Sequence, residues 1–243
     1  MSVATASIEP APPQPWGIWA TLFWAAGTFL VTNIVMSIVL IVFGAFSIDE
    51  AASVRYDGYI ISLVEVVTVP IIVGVMAWAA HLRRWSPAEY LGLTLPRGGD
   101  VVLGFACTAV LLVLFELASH AAGYDPVSIF QIDTYSSART RNTLPLLWIA
   151  FVVFAPLGEE IVFRGFLFRG WVRSPRDLAP AIVVIAVLWS ALHFQYQWFE
   201  VAQVFTIGLL FGWLRWRSGS TLLTFLLHAF MNAAAMVETM LRF

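Results

Sequence analysis

The chain contains no lysine, and all thirteen of its cationic residues are arginine. Schiff-base chemistry and a Ser-Lys dyad are therefore excluded. Cysteine occurs once, as Cys107 inside an apolar run, so no intramolecular disulfide can form and the thiol reads as a small buried hydrophobe. No group near it in sequence lowers its pKa as a thiol nucleophile requires. Charge of either sign is scarce, at 12% of 243 residues, whereas 60% are hydrophobic and the mean hydropathy is +0.84. That balance identifies an integral membrane protein. A net charge of −2 without an Arg-rich tail argues against nucleic acid as a partner and against polybasic lipid targeting. Several catalytic signatures are missing too: a His-Glu-x-x-His helix, a Gly-x-Ser-x-Gly elbow, a phosphate-cradling glycine loop and a Gly-x-Gly-Asp motif. Serine, cysteine and aspartate nucleophile schemes lose support accordingly.

What is present is a succession of apolar runs near the ~20 residues that cross a bilayer. They lie at about 17–46, 58–81, 100–121, 144–169, 179–199, 201–216 and 219–241. The expected fold is all-α, a polytopic helical bundle of about seven spans, six to eight at the limits, enclosing a hydrated cavity open toward the cytoplasm. The fifth and sixth runs are short and nearly contiguous, which predicts a tight hairpin or a tilted or partly re-entrant segment. Residues 1–15, rich in Pro, Ala and Ser, read as a disordered tail, and 16–243 as a single transmembrane domain. The first apolar stretch is too long for the h-region of a cleaved signal, so it reads as a retained helix. Trp85-Ser-Pro-Ala-Glu-Tyr-Leu-Gly-Leu predicts a short interfacial helix, and the polar segment from Tyr124 to Thr143 a long loop. Eight arginines (83, 84, 97, 169, 173, 176, 215 and 217) against four (55, 139, 141 and 242) place the N-terminus in the cytoplasm of a multi-pass cell-membrane protein.

Against this apolar background Glu159 and Glu160 stand side by side, with Arg164 one turn later. An ionisable group near the bilayer centre costs about 2.5–3.5 kcal/mol on insertion scales, so three in one span predict a buried polar site. Residues four apart share a helix face, so Arg164 stacks on Glu160 and holds it ionised, while Glu159 points elsewhere and is free to act as a general base. The plainer alternative is a packing network of all three. His193 follows Trp189 by four residues, and the indole can wall the site from lipid. His228 and Asn232 form another i, i+4 pair, suited to hold a developing oxyanion or, more plainly, to clamp two helices. At ~1.5 Å per residue, Glu159 and His228 lie roughly 14 Å from the inner ends of their spans and His193 about 20 Å, so one layer can hold all three. Glu65, five residues before Pro70, reads either as a capping feature or as a cavity-lining group. Glu116 and His120 are weaker candidates, and His81 reads as interfacial.

With these residues in view, the chain resembles the CPBP intramembrane endopeptidase family, which includes CAAX prenyl endopeptidases and bacteriocin-processing proteins. The resemblance rests on Glu159-Glu160-x-x-x-Arg164, on Trp189-x-x-x-His193 and on His228-x-x-x-Asn232, in the family's order across the C-terminal third. Leu91-Gly-Leu after the Ser-Pro helix start also resembles a stretch found there. Trp189 stands where the family usually has phenylalanine, which keeps an aromatic wall and adds an indole donor. The resemblance implies a glutamate-dependent intramembrane peptidase in which Glu159 activates water, His193 assists, and His228 with Asn232 stabilises the oxyanion. It leaves two metal schemes open. Glu159, His193 and His228 form a candidate three-ligand zinc set, with Glu160 then as the base, or the same residues work without metal.

The expected partners are membrane lipid and a protein or peptide substrate, lipidated or not. Two other classes stay in view: a catalytically silent scaffold or immunity protein of the same fold, and a proton-coupled transporter relaying protons through Glu65, Glu116, Glu160 and the histidines. No internal repeat supports the transporter.

Overall fold

The computed structural model describes residues 13–43 and 56–243. The expected tail over 1–15 lies outside the described residues except for 13–15, which are not helical, and Arg55 of the arginine count also lies outside them. Nine helices and no strands occur among the described residues: α1 (Ile18–Val42), α2 (Gly58–Leu82), α3 (Pro87–Tyr90), α4 (Gly98–Ala122), α5 (Ile129–Thr140), α6 (Leu144–Trp171), α7 (Leu178–Ala191), α8 (Trp198–Ser218) and α9 (Thr221–Arg242). The all-α expectation holds.

Among the described residues five helices, α1, α2, α4, α6 and α9, are long and apolar enough to cross a membrane, against the seven apolar runs of the sequence. The fifth run stops as a helix at Ala191, and fourteen residues at ~1.5 Å each reach only about 21 Å, short of a ~30 Å hydrocarbon core. The sixth run forms the 21-residue α8, which carries Glu200, Arg215 and Arg217 and trades lipid contact for contact with the bundle. Arg215 is buried there, donating through Nε to the Arg164 carbonyl at 2.9 Å and to Thr221 Oγ1 at 3.0 Å. Gly92, at φ +68°, makes room for it, since a Cβ at that position would lie 2.3 Å from Arg215 Nη2.

One local expectation is corrected and another is refined. The segment from Tyr124 to Thr143 is no loop, because Ser128 and Gln131 form a capping box that starts α5: Ser128 Oγ accepts from Gln131 N, and Gln131 Oε1 accepts from Ser128 N. The Ser-Pro helix forms as α3, exposed at Ala88 and Glu89 and anchored to the protein at its end. Tyr90 and Leu91 are buried, and the Tyr90 hydroxyl accepts from the Trp16 N–H at 3.1 Å. Burial pushes the Tyr90 phenol up, so it stays neutral.

Helix α6 is the axis of the molecule. From Gly158 onward nearly every residue is buried, and the two largest apolar clusters flank it: Trp189, Phe211, Leu214 and Leu227 on one side, Met76, Tyr90 and Phe166 on the other. Apolar side chains left exposed concentrate on α1 (Trp19, Phe23, Leu30) and α4 (Val102, Val110, Leu114, Leu117), as expected of faces turned to acyl chains. The arginine-rich turns meet at one end of the bundle. Arg83 Nε donates to the Gln14 carbonyl, Arg173 Nη2 to the Pro15 carbonyl, and Arg169 lies over the Trp85 ring at 4.5 Å. At that same end Asp177 closes the turn between α6 and α7, where the Ser174 hydroxyl and N–H hold its carboxylate below the usual range.

Candidate active site

Helix α6 is not a uniform α-helix. Its backbone widens to π turns over Ala150–Phe154 and Ile161–Leu167, and the two glutamates sit on the α-helical stretch between them. A π turn bonds each N–H five residues back, so the Phe151 carbonyl falls to the N–H of residue 156, which is proline and has none. Asn232 on α9 supplies the missing donor, its Nδ2 reaching Phe151 O at 2.8 Å. The carboxamide therefore ties α9 to α6 about two turns before the glutamates.

Glu160 and Arg164 are both fully buried and pair at 3.0 Å, Nη1 to Oε1. His228 Nδ1 lies 3.0 Å from the same Oε1. Glu160 thus draws α6 and α9 together, in a place where an unpaired charge is very costly. Arg164 is sandwiched by aromatic faces, its guanidinium 4.3 Å from the Trp189 ring and 5.5 Å from the Phe211 ring. Such cation–π contacts are strongest when desolvated. Glu160 Oε2 and Arg164 Nε have no hydrogen-bond partner among the described residues.

Glu159 has a different environment. It accepts from the Trp189 indole N–H and lines two cavities. One, of about 260 Å³, lies among α1, α2 and α6 and includes Glu65. The other, of about 390 Å³, is almost wholly apolar, with Leu22, Ala25, Val162, Phe163 and Leu188 among its walls. Gly158 permits this approach of α2 to α6, since a Cβ there would meet Val69 Cγ2 at 3.0 Å.

Trp189 organises the rest. Both imidazoles pack edge-on against it, His193 at 5.2 Å and His228 at 5.4 Å between ring centroids. His193 Nδ1 lies 2.9 Å from the Trp189 carbonyl; a carbonyl only accepts, so Nδ1 carries the proton and Nε2 is the free nitrogen. By the same reasoning His228 donates through Nδ1 to the Glu160 carboxylate and keeps Nε2. The sequence-predicted residues thus fall into two linked groups: Glu160, Arg164 and His228 in a sealed cluster, and Glu159 with Trp189 and His193, of which Glu159 lines the cavities. Asn232 and His228 do not converge on one open position, for each is committed to α6.

The zinc set fares differently. Among the described residues no three His, Cys, Asp or Glu side chains are grouped so as to hold a metal ion. The Trp189 indole N–H engages the Glu159 carboxylate, and the His228 imidazole is turned to Glu160 instead of toward Glu159. The donor set of Glu159, His193 and His228 does not fit a metal in this arrangement.

Some participants were not visible in the sequence reading. Phe211 and the Gly208 carbonyl, 3.5 Å from Arg164 Nη2, come from α8, which carries none of the motifs. Tyr196 stacks on His193 at 5.8 Å, and its position three residues after the histidine was the available signal. Of the weaker candidates, Glu65 joins the site's cavity, whereas Glu116 and His120 pair with each other at 2.9 Å at the end of α4, beside Arg242. His81 is exposed in the last turn of α2.

The family model described as Type II CAAX prenyl endopeptidase Rce1-like matches residues 141–234, from the turn before α6 to the Asn232 turn of α9. An uncharacterised 24.3 kDa protein of Escherichia coli is 30% identical over 151 residues, which cover 60% of this chain and 67% of that protein. No solved structure matches. The matched segment carries every residue that builds the two linked clusters, and with it the chain belongs to the CPBP family of CAAX-type proteases.

Proposed function

We propose that the protein is an intramembrane endopeptidase that cleaves membrane-associated proteins or peptides with Glu159 as the base. The observation that carries this reading is the unequal burial of the two glutamates: Glu160 is sealed and committed to Arg164 and His228, while Glu159 opens onto both cavities. Glu159 takes a proton from water as the oxygen attacks the scissile carbonyl, and returns it to the departing amine nitrogen. His193, anchored through Nδ1, stabilises the tetrahedral oxyanion once protonated to the imidazolium, when Nε2–H becomes a donor, and the second amide hydrogen of Asn232 assists, while His228 holds Glu160 and α9 in place. The aromatic walls around Arg164 keep water from the ion pair and strengthen its field. No step is routed through a metal.

The test is N-terminal proteomics of membranes carrying wild type, Glu159→Ala or His228→Ala. New peptide termini are expected with wild type only, while both variants still insert. Unchanged termini in both variants would discard the assignment. Treating the purified enzyme with a chelator is expected to leave turnover intact, and loss of turnover restored by zinc would reinstate the three-ligand scheme.

A further inference from the structure

The cavity of about 260 Å³ beside Glu159 has an unusual polar lining. Its polar residues are Glu65, Glu159, Thr32, Asn33 and Thr68, and no arginine or histidine is among its walls. The neutral groups spend hydrogens on their own helices: Thr32 Oγ1 and Asn33 Nδ2 donate to the Phe29 carbonyl, and Thr68 Oγ1 donates to the Val64 carbonyl. What remains toward the cavity is dominated by acceptors, namely two hydroxyl oxygens, the Asn33 carbonyl oxygen and two carboxylates. Only the second Asn33 amide hydrogen departs from that pattern.

Glu65 sets this site apart from the rest of the protein. It lies in the eighth position of a 25-residue membrane helix and makes no ion pair or hydrogen bond among the described residues. Glu160 has Arg164, Glu116 has Arg242, and Asp57 has Arg141. An acid inside a membrane span pairs with a cation or lines a path for one. Here the protein supplies the acid, the acceptor oxygens and the space, and omits the cation.

We propose that this cavity is a subsite for a positively charged side chain of the substrate, arginine or lysine, held against Glu65 next to the scissile bond. The idea rests on the peptidase reading and adds a specificity to it. Ammonium and guanidinium groups are all donor, so they match polar lining groups that are nearly all acceptors, the apolar walls suit the methylene stem, and a carboxylate with no partner gains most from them in a water-poor site. Because Glu159 itself lines this cavity, a side chain held here belongs within a residue or two of the attacked carbonyl.

Two measurements test it. Purified wild type, Glu65→Gln and Glu65→Asp in proteoliposomes are given a membrane-peptide digest, and the cut sites are aligned. Wild type is expected to favour Arg or Lys at one fixed position near the cut; Glu65→Gln is expected to lose that preference by about tenfold or more, and Glu65→Asp to retain most of it. Wild-type cut sites without basic enrichment, or an unchanged preference in Glu65→Gln, would overturn the proposal. Independently, butylguanidinium chloride, against sodium chloride at equal ionic strength, is expected to raise the Tm of wild type and of Glu65→Asp but not of Glu65→Gln. Equal responses in all three would overturn it without touching the peptidase reading. A Glu65-dependent Tm shift in a protein that cuts nothing would keep the cation subsite and remove the peptidase assignment instead.

Discussion

Glu160, Arg164 and His228 form a buried network in which neither Glu160 nor Arg164 can be removed without leaving a charge alone. Breaking a buried pair by deleting one partner typically costs about 3–5 kcal/mol, because the orphaned ion keeps its desolvation penalty. Arg164→Ala is therefore expected to destabilise the protein by roughly that amount, read as a lower midpoint of detergent-mediated unfolding. Glu159→Gln, which keeps an oxygen to accept from the Trp189 indole, is expected to leave the midpoint nearly unchanged and to abolish cleavage. The two glutamates would thus separate into one that holds the site and one that works in it, and a similar loss of stability in both variants would refute that division. The i, i+4 spacing already implied the Glu160–Arg164 pair. Partners from α8 were beyond its reach, because Phe211 and the Gly208 carbonyl belong to a helix with no polar motif to mark it.

Within α6 the decisive feature is a backbone irregularity. Pro156 leaves the Phe151 carbonyl without its helical donor, and Asn232 fills the place from another helix. Asn232→Ala is expected to cost about 1–3 kcal/mol, the usual penalty for stranding a buried acceptor. Pro156→Ala restores a backbone N–H in α6, so the double variant is expected to lose less stability than the sum of the single ones, a coupling that a double-mutant cycle measures. Strict additivity would mean that proline and asparagine do not share the Phe151 carbonyl. If the double variant regains stability yet cleaves poorly, the second amide hydrogen of Asn232 has a chemical part as well. Sequence periodicity located α6 to within a few residues, but π turns leave no periodic signature, and only the proline three residues before Glu159 hinted at one. The same limit explains α5, where a capping box outweighed a polar composition that reads as loop.

Across the whole molecule, seven helices run between two ends that differ in charge, although only five are long and apolar enough to cross a membrane. Hydropathy alone gave the order of these helices. The seven runs all form helices, but α7 is short and α8 carries Glu200, Arg215 and Arg217, so neither has the length and apolarity of the other five. Arg83, Arg169 and Arg173 converge at the end where α1 begins, whereas Arg139, Arg141 and Arg242 lie at the opposite end. Arginine is retained on the cytoplasmic side during insertion, so the end holding Arg83 and Arg173 is expected to face the cytoplasm. The lone cysteine makes the test direct. In a Cys107→Ser background, Ser174→Cys reports the arginine-rich end and Thr140→Cys the opposite one, both on surfaces outside the five candidate spans. A membrane-impermeant maleimide applied to intact cells is expected to label the cysteine at 140 and to reach the one at 174 only after permeabilisation. The reverse pattern would invert the protein and bring substrates from the other face of the membrane. Because Asp177 and Ser174 close the α6–α7 turn at that same end, the label would also fix the side toward which the Glu159 helix descends.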